Sequence, residues 1–225
     1  MKADRVRWHT QKYWLAPALI LSFFVIIFTR FADELMEQQL FYFDHTIIDW
    51  VQGQISPRLT AVMKLFTFLG STTALVVVLF ISVAIMIRQK KKWEALFLVI
   101  SMIGAVLFNQ WLKILFHRER PTLHRLIEEN GYSFPSGHSM VSFVFYGMLG
   151  VLIYMFLVSK LPKIMLTISF VFLVIMIGVS RIYLGVHYPS DVIAGFSAGG
   201  AWLVICLFSL RLILLYRGIN TSVNN

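Results

Sequence analysis

Charge is scarce in this sequence. Only 14% of its 225 residues are Asp, Glu, Lys or Arg, while 58% are hydrophobic and 15% aromatic. A soluble domain of this size cannot cover its surface with so few polar groups, so a lipid bilayer must form part of the solvent. Acids are scarcer than bases, 11 against 20, which leaves a formal charge of +9. In so greasy a chain that excess reads as cytoplasmic loops obeying the positive-inside bias, and secreted and nucleic-acid-binding readings drop away. A single cysteine, Cys206, excludes an internal disulfide, and its apolar setting gives it a packing role. The first apolar run is followed by Thr29-Arg30-Phe31-Ala32-Asp33 and lacks a small-residue cleavage site, so it reads as an uncleaved anchor.

What is present in quantity is apolar runs of membrane length. They extend from about Trp14 to Thr29, Ser71 to Ile87, Trp93 to Lys113, His138 to Ser159, Lys163 to Ser180, and Tyr188 to Leu210, with Leu59 to Leu69 able to lengthen the second. At about 1.5 Å per residue, the shortest cross most of a hydrocarbon layer roughly 30 Å thick. The expected fold is an all-α polytopic membrane protein, six transmembrane helices in one bundle, forming one domain over residues 1–225. Lys2, Arg5, Arg7 and Lys12 precede the first run, and Arg88, Lys90, Lys91 and Lys92 follow the second. Lys160 and Lys163 flank the turn after the fourth, and Arg211 and Arg217 follow the sixth. Six spans place all these groups on one face, the cytoplasmic one by the positive-inside rule. Between Arg30 and Arg58, Phe31, Leu35, Met36, Leu40 and Phe41 recur at helical spacing, as in an amphipathic helix lying at the membrane surface.

The opposite face collects nearly all the chemistry. Lys113 and Arg120 are seven residues apart and would share one face of a continuous helix, broken at Pro121. Alone they read equally well as two snorkelling cations. In Pro135-Ser136-Gly137-His138, Ser136 suits an N-cap and Gly137 admits a ligand close to the backbone. The free N–H groups and positive dipole end of the helix they open attract an anion, with His138 in its first turn. In the third segment, Arg181 closes the fifth run, and Pro189 at an early helical position brings the Asp191 carboxylate within reach of His187. A carboxylate holding one imidazole nitrogen fixes the tautomer and leaves the other as a nucleophile, although such a pair on its own is more often structural. Together the three segments outline a phosphate pocket at one membrane face.

These segments, Lys113-x6-Arg120-Pro121, Pro135-Ser136-Gly137-His138 and Ser180-Arg181-x5-His187-x3-Asp191, resemble the signature of the type 2 phosphatidic acid phosphatase superfamily. Within its membrane branch the chain is similar to the small bacterial phosphatidylglycerophosphatases. The resemblance implies a cofactor-free, metal-independent phosphatase in which His187 attacks phosphorus and Asp191 orients it. His138 would protonate the leaving oxygen, while Lys113, Arg120, Ser136, Gly137 and Arg181 hold the phosphate. It implies a lipid phosphate as partner and no nucleic acid, in a bacterial cytoplasmic membrane with the site on the extracytoplasmic face. Phosphatidylglycerol phosphate is the expected substrate, with undecaprenyl pyrophosphate and phosphatidic acid as alternatives; oligomeric state is left open.

Three rivals weigh less. A metal-dependent hydrolase built on His117, His138, His187 and Asp191 would lack clustered carboxylates and set its metal among cations. An anionic-lipid transporter would bind near the bilayer midplane rather than at span ends. A haloperoxidase would need vanadate in the pocket. His117, Arg118, His124, Arg125, Glu128 and Glu129 read as a solvated outer loop, and Tyr183 and Tyr188 as packing residues.

Overall fold

The computed structural model describes residues 2–122 and 125–223, with side chains from 15 to 216 in those stretches. The side chains of Lys2, Arg5, Arg7, Lys12 and Arg217, and the whole of His124, therefore lie outside the described residues. Within them the chain forms helices and no strand: α1 (Lys2–Met36), α2 (Phe41–Gln52), α3 (Pro57–Leu69), α4 (Thr72–Arg88), α5 (Lys92–Phe116), α6 (Gly137–Phe156), α7 (Lys160–Tyr183) and α8 (Pro189–Val223).

Five stretches are long and apolar enough to cross a membrane: Leu15–Met36, Lys92–Phe116, Gly137–Phe156, Lys160–Tyr183 and Pro189–Tyr216. α3 and α4, bent by 50° at their junction, pass the same test only together, as one broken span or a re-entrant loop, which makes up to six. The Leu59–Leu69 stretch is thus a separate helix. Gly70 and Ser71 interrupt it, and the Ser71 hydroxyl accepts from the Ala74 N–H to start α4 afresh. The amphipathic segment also differs from the single interfacial helix expected. α1 continues to Met36, the chain turns through Gln38 at a φ of 60°, and α2 begins at Phe41. One face of α2 leaves Phe41, Tyr42 and Trp50 exposed, while Asp44 and Val51 turn inward.

Outward-facing residues of the spanning helices are large and apolar, such as Phe80, Ile103, Leu107 and Ile168, as a lipid-facing surface requires. Inside, Leu98, Phe145, Met148, Leu152 and Ile177 are fully buried. At the end away from the signature segments, the Lys91 ammonium sits 5.2 Å from the Phe156 ring and Lys163 4.5 Å from that of Tyr154. The basic loops thus gather at one end and the candidate site residues at the other.

The contact that positions the site is α6 against α8, the most extensive in the bundle. Small residues let the two backbones approach. A Cβ at Gly195 would fall 2.8 Å from the Ser136 carbonyl oxygen, and one at Gly199 2.8 Å from that of Met140. The Ser136 N–H donates to the Asp191 carbonyl at 2.9 Å, tying the start of α6 to that of α8.

Backbone atoms cannot yield as side chains do. Gly195→Ala is therefore expected to cost about 1–3 kcal/mol, read as a lowered thermal unfolding midpoint in detergent. Gly150→Ala should cost less, because its nearest neighbour is the Phe170 ring, at 3.3 Å, which can turn aside.

Candidate active site

Three chain segments converge at the ends of α5, α6 and α7. α5 stops at Phe116, one turn before the proline expected to end it, because His117 takes the left-handed conformation (φ 47°) and its N–H caps the Lys113 carbonyl. Lys113 and Arg120 accordingly do not share a continuous helix. Lys113 reaches in from the last turn of α5, and Arg120 from the segment beyond it. Ser136 caps α6 as its sequence predicts, its hydroxyl accepting from the Ser139 N–H at 3.4 Å. Pro189 opens α8, which brings Asp191 into the first turn.

Between these segments lies a cavity of about 170 Å³. Lys113, Arg120, Glu129, Gly137, His138 and His187 line its polar end, and Leu75, Met102, Val106 and Val141 its apolar flank. Of the eight residues singled out in the sequence, five line this space. Ser136, Arg181 and Asp191 are buried just behind it. Gly70 lines it too, and a Cβ there would meet Ile177 at 2.5 Å and the His138 ring at 3.4 Å.

The His187 ring is fixed on both sides. Nε2 lies 3.1 Å from Arg120 Nη1. A guanidinium only donates, so Nε2 accepts and its lone pair is taken up by Arg120, beside which His187 lines the cavity. The proton therefore sits on Nδ1, which faces Asp191 Oδ2 at 3.4 Å and Ser133 Oγ at 3.3 Å. Asp191, with no exposure, also accepts from Ser133 Oγ at 2.5 Å, the Tyr188 N–H at 2.9 Å and Arg118 Nη1 at 2.6 Å. Burial first, and the nearby guanidinium groups of Arg181 and Arg120, lower the His187 imidazole to about 4 even against Asp191. At neutral pH the ring is uncharged.

Two loop residues read as solvated are corrected here. Arg118 is mostly buried and bridges Asp191 to Asp44 of α2, with Nη2–Oδ2 at 2.6 Å to the latter. Burial works against its charge, but Asp191 and Asp44 outweigh that and raise its pKa. Asp44 behaves oppositely: burial lifts its carboxyl even against Arg118, so the permanent guanidinium charge anchors the pair. Glu129 is paired with Arg181, whose Nη1 donates to Thr67 Oγ1 at 2.6 Å. Burial pushes Glu129 up, and Arg181 more than reverses it, so the carboxylate is held below its ordinary value. His117, Arg125 and Glu128 are exposed, in line with the solvated reading. Tyr183 is a packing residue with a satisfied hydroxyl, 2.9 Å from Thr60 Oγ1, and the Tyr188 ring stacks on Arg118 at 4.0 Å.

Sequence reading passed over Asp44, Thr67, Ser133 and Ser190. Ser133 sits two residues before the Pro-Ser-Gly-His segment, and Ser190 between Pro189 and Asp191, so proximity to those motifs was the available signal. Asp44 and Thr67 carried none.

Residues 94–212 match the PAP2 superfamily. The chain is 36% identical over 148 residues to phosphatidylglycerophosphatase B of Bacillus subtilis, covering 64% of this chain and 71% of that protein. It is 37% identical over 84 residues to a lipid A 1-phosphatase of Rhizobium etli, over 37% of this chain and 29% of the relative. The crystal structure of a transmembrane PAP2-type phosphatidylglycerolphosphate phosphatase from Bacillus subtilis superposes with a TM-score of 0.70 at 32% identity, over 84% of this chain and 93% of that one. Aquifex aeolicus LpxE shares the fold, with a TM-score of 0.61 at 24% identity over 73% of this chain and 94% of the other.

The His187 environment sets a pH dependence of stability. An unfolded chain protonates this histidine near 6.5, the folded one only near 4, so in that window the unfolded state binds more protons. Acidification from pH 7 to 4.5 is expected to remove up to about 3 kcal/mol through this residue alone. His187→Gln should flatten the fall of the unfolding midpoint over that range; an unaltered fall would place the titrating groups elsewhere.

Proposed function

The chain belongs to the PAP2 superfamily and is a lipid phosphatase of that family, and from that premise we propose that it removes the terminal phosphate of phosphatidylglycerol phosphate, in a metal-independent reaction on the extracytoplasmic face of a bacterial cytoplasmic membrane. The observation that carries the reading is the shape of the cavity: histidines and cations at one end, a wall of Leu75, Met102, Val106 and Val141 at the other. Such a space suits a phosphate on an apolar anchor. Of the lipids weighed, phosphatidylglycerol phosphate is favoured by the Bacillus subtilis relatives, which the chain matches over most of their length. The lipid A 1-phosphatase relatives are matched over smaller shares of their own length, 29% and 52%.

In the proposed reaction the phosphate draws Arg120 off His187 Nε2, which attacks phosphorus as the bond from phosphorus to the lipid oxygen breaks. The leaving oxygen takes a proton from His138, and a phosphohistidine remains. Water then attacks phosphorus, passing a proton back to His138. The P–N bond breaks to give inorganic phosphate and neutral His187. Asp191 meets the positive charge that forms on His187 during attack. Lys113, Arg120 and the Gly137 N–H face the phosphate directly, with Ser136 and Arg181 behind them. Arg181 is engaged by Glu129, so an incoming phosphate replaces one carboxylate on that guanidinium. Because these cations meet the phosphate charge, and Asp191 and Glu129 are already paired with arginines, no divalent ion is required.

Two outcomes test this reading. Purified protein should release phosphate from phosphatidylglycerol phosphate faster than from undecaprenyl pyrophosphate or phosphatidic acid, and equally with and without EDTA. His138→Ala should lose about 10²–10⁴-fold on the lipid and much less on p-nitrophenyl phosphate, whose leaving group hardly needs a proton. Equal losses on both would remove His138 from the acid role, and magnesium-restored activity after EDTA would overturn metal independence.

Sidedness is checked by labelling in a Cys206→Ser background. A cysteine introduced by Gln54→Cys, exposed near the site end, is expected to react with an impermeant thiol reagent in intact cells. One introduced by Gln89→Cys, exposed at the far end, should not. The reverse pattern would put the site in the cytoplasm.

A further inference from the structure

Asp44 lies outside every signature segment and does not line the catalytic cavity, yet it is 1% exposed and fully engaged. Its Oδ1 accepts the Ser190 N–H at 2.9 Å. Its Oδ2 accepts Ser190 Oγ at 2.7 Å and Arg118 Nη2 at 2.6 Å. Arg118 Nη1 donates at once to Ser190 Oγ, at 2.7 Å, and to Asp191 Oδ1, at 2.6 Å. The guanidinium fork is therefore divided between two carboxylates, one on the surface helix α2 and one at the start of α8.

That division has a chemical consequence. An undivided guanidinium prefers to take both oxygens of one carboxylate. On Asp191 this would engage Oδ2, the oxygen that faces His187 Nδ1. It would also weaken the negative charge that supports the imidazole during attack. We propose that Asp44 is a positioning residue for the phosphatase reaction: by holding half of the Arg118 fork it keeps Asp191 Oδ2 turned to His187. The proposal rests on the assignment of His187 as nucleophile. It makes α2 a structural part of the site, because Asp44 is the anchor through which that helix reaches the catalytic pair.

The test is rapid-quench measurement of phosphoenzyme formation on the full-length protein with p-nitrophenyl phosphate, alongside steady-state kcat and KM. Asp44→Asn keeps size and loses charge. It is expected to slow phosphorylation about tenfold or more, less than the roughly 10⁴-fold that follows loss of charge on a carboxylate bonded to the histidine itself, with KM changed less than about twofold. Asp44→Glu, which restores the charge, should recover most of the rate. Should the Asn variant not fold, Asp44→Ser carries the same expectation. Phosphorylation at the wild-type rate in a folded, uncharged variant would overturn the proposal. So would a raised KM with unchanged rate, or a Glu variant no faster than the Asn one. Absence of phosphohistidine in the wild-type protein would instead overturn the nucleophile assignment, and this proposal would fall with it.

Discussion

A carboxylate with no access to water survives as an anion only where donors surround it, and at Asp191 those donors come from all over the site. Arg118 and Ser133 belong to the loop between α5 and α6, Tyr188 supplies its N–H from the turn before α8, and His187 supplies Nδ1–H. An ionised carboxylate buried with even one of these missing is costly, by several kcal/mol in general. The loop fold, the α7–α8 turn and the helix α2 behind Arg118 are thereby made interdependent. The His187 imidazole inherits its orientation from that closure rather than from any single contact.

The same closure explains the neutral state of His187. Burial disfavours the imidazolium more strongly than Asp191 favours it. The cations needed to hold a phosphate push in the same direction. In the proposed mechanism His187 therefore needs no separate device to stay unprotonated; the groups assigned to the phosphate provide one. Glu129 balances those cations by pairing with Arg181, and its place in the cavity is one that a phosphate oxygen can take.

Much of this was legible in the sequence because it is local. His187 and Asp191 are one helical turn apart, Ser136 directly precedes its helix, and Pro189 marks the start of another; short-range geometry fixes each. The apolar runs marked the five long spans and α4 of the bent pair. Legibility ended where burial depends on the fold of a loop. Arg118 and Glu129 sit in a polar stretch that resembles solvated chain, and only its packing across the helix ends buries Arg118 and turns Glu129 into the cavity. Asp44, 146 residues from Ser190 in the chain, could not be read at all. Lys113 and Arg120 line one cavity but do not share one helix as expected: Pro121 suggested where α5 stops, whereas His117 had already ended it.

The proposed chemistry requires His187 Nε2, which Arg120 occupies at rest, to reach phosphorus once the phosphate takes that guanidinium. A structure of the protein with vanadate, which takes up the geometry of a phosphoryl group under attack, tests that most directly. Vanadium is expected within bonding distance of His187 Nε2, with Arg120 and Lys113 on its oxygens and Glu129 no longer on Arg181. Vanadate bound away from His187, with the Glu129–Arg181 pair intact, would contradict it.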